Sequence, residues 1–290
     1  MTLPILIFFS IFIFFILNFL YREEIGKLLN IIDQPDKIRK LHSKPVTLNG
    51  AFWFVFLLIT FLLYNQINIT EVDKSFNVII ITSILIFTVG YIDDKIQLNE
   101  NLKFFIFFLI FFIVCESHQN LQIEVIKFES LEIEFQLKFF SSLFTVFCLT
   151  AFINSINLVD GINSLANTIL FLIVTTIYFL FKQNSYFFIQ LIFFLGINSL
   201  IIYRGRYFLG DSGSLGISTF IGLYIIYQYN LNLESPINKL LTEDIFILMA
   251  FPGLDMLRVF FLRLINGAYE QHIFLHFRLQ SQFDYSLLVS

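Results

Sequence analysis

The chain has 290 residues, of which 57% are apolar and 14% charged, with a net charge of −4 and a mean hydropathy of +0.80. Soluble domains carry roughly 45–50% apolar and about 25% charged residues, so this composition excludes a water-soluble fold. The acidic balance and scattered basic residues give nucleic-acid binding no support. Cys115 and Cys148 lie far apart with no CxxC, which leaves neither a disulfide framework nor a thiolate metal site. The 41 Phe read as compositional drift, with lipid-facing side chains rather than an aromatic cofactor box.

In chain order, apolar runs fall at 3–20, 50–64, 76–92, 102–115, 138–153, 165–181, 186–203, 215–230 and 244–262. Each must be helical to satisfy its backbone in hydrocarbon, so the expected fold is an all-α polytopic membrane protein. About nine transmembrane helices are predicted, within one integral membrane domain covering 1–290. The first run lacks a basic leader and a small-residue cleavage site, and reads as a retained span. Loops and span ends on one side hold thirteen of the 18 Lys and Arg residues, which predicts that side to be cytoplasmic and the N-terminus external. The longest outer loop, 116–136, alternates apolar and polar residues over two short runs, predicting an extracytoplasmic β-hairpin with a solvated acidic face.

The unusual polar clusters all fall in the basic set of loops. They are DQPDKIRKLHSKP (33–45), GYIDDKIQLNENLK (90–103), NSINLVDGINSLAN (154–167), RGRYFLGDSGSLG (204–216) and the stretch 252–279. Asp93 and Asp94 close an apolar span, where adjacent carboxylates repel and invite a divalent cation or a shared proton, unless they merely solvate the span end. Asn154, Asn157 and Asp160 recur every three residues and share a helix face, followed by Gly161; a polar binding strip and a helix C-cap both fit. Asp211 lies among Gly and Ser residues whose N–H groups suit phosphate while the carboxylate suits a metal. Arg39, Lys40 and His42 form a basic knot, and Arg258, Arg263 and Arg278 follow the last run. They serve either as positive-inside anchors or as groups meeting a polyanion.

These five motifs, in this order, resemble those of the polyprenyl-phosphate N-acetylhexosamine-1-phosphate transferases. The residues that carry the likeness are Asp33/Pro35/Arg39/Lys40/His42/Pro45, Gly90/Asp93/Asp94, Asn154/Asn157/Asp160/Gly161, Phe208/Gly210/Asp211/Gly213/Ser214 and Pro252/Asp255/Arg258/Arg263. The resemblance implies an enzyme of the plasma membrane with a cytoplasmic site, which moves a sugar 1-phosphate from a UDP-sugar to polyprenyl phosphate and releases UMP. The reaction would initiate a cell-envelope polysaccharide. It implies Mg²⁺, with Mn²⁺ as an alternative, held by Asp211 with Asp160 as a second metal carboxylate. Asp93, Asp94 and Asp211 would be catalytic. Arg39, Lys40, His42, Asn154, Asn157, Asp160, Gly161, Arg263 and His276 would bind substrate. A homodimer is among the assemblies it allows, and against the family pattern the chain is expected to lack the final one or two spans. Three positions depart from the pattern: Leu209 replaces Met, Ser164 replaces a Gly, and the stretch 274–277 keeps His276 alone of three His. A second reading therefore stays open, an inactive or truncated member that binds lipid phosphates or assembles with membrane partners.

Overall fold

The computed structural model describes residues 3–34, 45–67, 74–160, 164–181, 185–233 and 240–266. Helix α1 (Leu3–Leu20) bends by 78° into the short α2 (Arg22–Leu29), which Asn30 stops in the left-handed region at φ 57°. Two residues on each side, β1 (Ile32–Asp33) and β2 (Val46–Thr47), then pair antiparallel. There follow α3 (Phe52–Ile67), α4 (Lys74–Ile96) and α5 (Glu100–Ser117), and then an antiparallel hairpin of β3 (Val125–Phe128) and β4 (Ile133–Gln136). The remaining helices are α6 (Ser141–Val159), α7 (Leu165–Phe181), α8 (Ser185–Tyr203), α9 (Gly210–Leu231) and α10 (Thr242–Asn266).

By length and composition, three helical stretches among the described residues suffice to cross a membrane: Lys74–Ile96, Lys138–Val159 and Tyr186–Tyr203. The bent pair of α1 and α2 makes a fourth if it counts as one span. Phe52–Gln66 and Leu165–Phe181 are apolar but shorter.

Helix α9 is the axis of the bundle. Every residue from Ser212 to Tyr229 is buried, the pattern of a helix surrounded on all sides. It packs antiparallel along α4, with Gly90 at the level of Asp211 and Ser212, and Phe87 at the level of Gly216. A Cβ at Gly90 would lie 2.6 Å from the Asp211 carbonyl oxygen, so only glycine permits the backbones to come this close.

The lipid-facing reading of the phenylalanines needs correction. Phe54, Phe107, Phe111, Phe187, Phe188, Phe194 and Phe220 are fully or almost fully buried. The Phe187 ring lies edge-on to Phe61 at 4.8 Å and to Phe76 at 5.6 Å, and 5.0 Å from Phe220, so aromatic edges and faces fill the space between α3, α4, α8 and α9. Composition counts such residues but carries no information on which face of a helix they occupy. The remaining phenylalanines include exposed ones such as Phe9, Phe105 and Phe147, as a bilayer requires.

At one end of the bundle lie the C-termini of α4 and α6 and the N-termini of α5 and α9. The hairpin occupies the other end, where the Tyr229 hydroxyl joins it to α9 by accepting from the Lys127 amide at 3.0 Å. The Thr242 hydroxyl joins it to α10 by donating to the Lys127 carbonyl at 2.7 Å.

Candidate active site

Asp93 and Asp94 stand in the last turn of α4, and successive helical residues are rotated by about 100°. They therefore face different partners. Asp93 turns to α5: its Oδ2 accepts from Lys103 Nζ at 2.7 Å, and its Oδ1 from the Leu98 amide at 2.6 Å, which fixes the turn between the two helices. Asp94 turns to α9, where Oδ1 accepts from the Asp211 amide at 2.8 Å and Oδ2 from the Ser212 amide at 3.0 Å. The carboxylate thus takes two of the N–H groups that a helix start leaves without partners, and its charge suits the positive end of the helix dipole. The expected sharing of one cation or proton by the pair is not what this geometry gives, because helical rotation separates the two side chains.

Gly210 opens α9 at φ 75°, and a Cβ there would lie 2.8 Å from Asp94 Oδ2. Glycine thus supplies both the left-handed backbone and the room that Asp94 needs. Asp211, expected in a loop, stands in the first turn of α9, which begins five residues before the apolar run at 215. The carboxylate of Asp211 bridges two further elements. Its Oδ2 accepts from Lys103 Nζ at 3.0 Å, and its Oδ1 from Asn157 Nδ2 of α6 at 3.0 Å. Asn157 also donates to Ser214 Oγ at 2.9 Å.

Asp160 follows the last turn of α6. Its carboxyl is pushed well above the usual carboxylate range, first by loss of water and then by the negative charges of Asp211 and Asp94. Asn154 does not join the cluster, because its Nδ2 donates to the Thr150 carbonyl of its own helix at 2.8 Å. Arg39, Lys40, His42, Gly161 and His276 lie outside the described residues, as does the side chain of Arg263. On α10, Arg258 pairs within the helix with Asp255 at 2.8 Å.

Lys103 is the site residue that reading the sequence missed, having been counted only as a loop cation. It is 5% exposed and lies between Asp93 and Asp211. A signal was present: a lysine close to the start of a helix opposes the dipole, and an apolar helix tolerates it only with a carboxylate partner.

The cluster sets four carboxylates, Asp93, Asp94, Asp160 and Asp211, against one ammonium. Among the described residues no three Asp, Glu, His or Cys side chains form a ready metal-binding group, and Lys103 lies between Asp93 and Asp211. The donor chemistry nevertheless fits a hard divalent cation. The excess charge is negative, the donors are oxygens, and the Asp211 oxygens keep lone pairs beyond the bonds from Lys103 and Asn157.

A family model described as glycosyl transferase family 4 matches residues 76–229, just over half of the chain. The chain belongs to glycosyl transferase family 4. Membership makes it a transferase of the kind that passes a phospho-sugar to a lipid carrier. The matched region runs from α4 to α9 and contains Asp93, Asp94, Lys103, Asn157, Asp160 and Asp211, whereas the motifs at 33–45 and 252–279 fall outside it. No curated protein matches the chain.

In this family 4 transferase an apolar cavity of about 290 Å³ lies between α6, α9, α10 and the hairpin, lined among others by Ile123, Phe147, Ile226, Phe246 and Met249. It reaches Ser155, two residues before Asn157, and so runs between the hairpin and the end of α6 that carries the site.

Proposed function

We propose that this protein transfers a sugar 1-phosphate, an N-acetylhexosamine 1-phosphate, from a UDP-sugar to polyprenyl phosphate and releases UMP. The step would initiate a cell-envelope polysaccharide. One observation carries the reading: the ends of four helices bring Asp93, Asp94, Lys103, Asn157, Asp160 and Asp211 together beside an apolar cavity. A reaction between a water-soluble diphosphate and a lipid phosphate needs a charged cluster next to a place for an alkyl chain.

In the proposed chemistry an oxygen of the lipid phosphate attacks the sugar-bearing phosphorus of the donor. The old P–O–P bond breaks as the new one forms, and UMP leaves with the electron pair. No net bond type changes, so orientation and charge neutralisation supply the acceleration. Lys103 neutralises charge on the transferred phosphoryl group, and Asp93 holds Lys103 in place. Asp94 fixes the start of α9, so that Asp211 keeps its position. Asn157 and Asp160 face the donor, joined in this proposal by Arg39, Lys40, His42, Gly161, Arg263 and His276. Asp211 and Asp160 would hold Mg²⁺ or Mn²⁺, which supplies additional neutralisation of the diphosphate. The acceptor chain occupies the cavity along α6. The full arrangement would be nine spans in a plasma membrane, with the hairpin outside and the cluster at the cytoplasmic face; the bias of Lys and Arg supports this orientation.

The test is UMP release by membranes containing the chain, given polyprenyl phosphate, Mg²⁺ and a panel of UDP-N-acetylhexosamines. Release that depends on the lipid and disappears in Asp211→Asn supports the reading. No release with any donor, from protein that is inserted and folded, favours the lipid-phosphate-binding alternative.

A further inference from the structure

The turn before Asp211 is held by groups that the chemistry above does not use. Tyr207, four residues upstream, is fully buried, and its hydroxyl donates to Asn198 Oδ1 of α8 at 2.7 Å. Asn198 Nδ2 donates to Asn167 Oδ1 of α7 at 3.0 Å, and Asn167 Nδ2 donates to the Leu195 carbonyl at 2.9 Å and to Ser199 Oγ at 2.6 Å. Asn167 and Asn198 are 0% exposed. On the opposite side, the Phe208 amide donates to the Thr47 carbonyl at 2.9 Å, and its carbonyl accepts from the Gly50 amide at 3.0 Å. The segment after β2 is tied to α1, since Asn49 Nδ2 donates to Asn18 Oδ1 and Asn18 Nδ2 donates to the Asn49 carbonyl, both at 3.0 Å.

Apolar side chains would fill the space between α7 and α8 without the desolvation that a phenol and two amides require. What hydrogen bonds add is direction: each has one geometry, and a connected chain of them admits one arrangement. The arrangement here sets where the backbone leaves the bundle at 207–208 and turns through Gly210 into α9. We propose that the Tyr207–Asn198–Asn167 chain is a positioning device for Asp211, holding the turn so that the Asp211 carboxylate stays between Lys103 and Asn157. Tyr207, Asn198 and Asn167 touch no reacting group; they act through the turn. The inference rests on the place of Asp211 in the proposed transfer, but its first readout needs no turnover.

The experiment compares the full-length wild type with Tyr207→Phe, which keeps the ring and removes only the hydroxyl. Amide exchange across 208–214, where Asp94 protects the Asp211 and Ser212 amides, should speed up by about threefold to tenfold, the loss of one hydrogen bond. The kcat should fall by about tenfold or more, at unchanged KM for the UDP-sugar, because a displacement of about 1 Å costs on the order of a hundredfold. A triple variant, Tyr207→Phe with Asn198→Leu and Asn167→Leu, replaces the whole chain by apolar groups. Stability recovered without recovery of kcat would support positioning, whereas recovery of both would overturn it. If the triple variant fails to fold, the single variant decides. Unchanged exchange, or an unchanged kcat per folded molecule whether or not stability falls, overturns the proposal. Should the wild type turn over no donor, the transferase reading fails separately, and exchange at 208–214 alone supports or overturns the device.

Discussion

On α4 the rotation between neighbouring residues gives Asp93 and Asp94 separate tasks, and substitutions should separate them. Lys103→Met leaves Asp93, itself 8% exposed, without its ammonium. Breaking a buried pair from one side costs about 3–5 kcal/mol, so thermal unfolding in detergent should drop sharply and turnover should be lost. Adding Asp93→Asn should restore much of the stability and none of the turnover; a double variant as unstable as the single would show that the pair is not what Lys103 stabilises. Asp94→Asn can still accept one of the two α9 amide bonds, while its NH₂ opposes the other donor. It should cost about 1 kcal/mol, the scale of a helix cap, and reduce turnover through displacement of Asp211. Full activity there would leave Asp94 a structural cap with no bearing on the reaction. A sequence shows two adjacent carboxylates at a span end, and that much was legible. Their different partners were not, since the partners come from 98, 103 and 211–212, and one of them, Lys103, resembled an ordinary positive-inside residue.

At the scale of the helices, the contact of α4 with α9 holds the site together. Gly90→Ala puts a methyl 2.6 Å from the Asp211 carbonyl oxygen and 2.7 Å from the Ser212 Cα, both backbone atoms that cannot step aside. The two helices must part there, and turnover should fall by about a hundredfold. Gly196→Ala on α8 meets only the Phe171 ring edge at 3.4 Å, an ordinary contact. It should leave turnover intact and add about 0.5–1 kcal/mol of helix stability. Equal effects of the two substitutions in paired unfolding and turnover assays would contradict the account of close packing. Apolar runs made the helices legible, but not the start of α9. The run from 215 hid Gly210 and Asp211, because a helix start needs only an N–H acceptor, and here Asp94 supplies it from another helix. In the same way, alternation in 116–136 suggested paired strands, whereas the ties of Tyr229 and Thr242 to Lys127 join residues more than a hundred positions apart.

For the molecule as a whole, one buried helix touches both the carboxylate cluster and the apolar cavity: its first turn bears Asp211, and its C-terminal half, through Gly222, Ile225, Ile226 and Tyr229, lines the cavity. Composition announced the membrane, and motif order announced the family. The central place of α9 was not visible, since its neighbours are apolar runs that look alike in sequence. If Asp211 and Asp160 hold a divalent cation, chelation of metal should abolish turnover and Mg²⁺ should restore it; turnover that persists in chelator would remove the cation from the account. The most direct test of the central claim follows the two phosphorus atoms of a UDP-N-acetylhexosamine, one labelled next to uridine and the other next to the sugar. Transfer of a sugar 1-phosphate predicts that the sugar-side phosphorus enters the lipid extract while the uridine-side phosphorus stays in water as UMP. Both labels remaining in water as UDP, with sugar alone in the lipid, would contradict it.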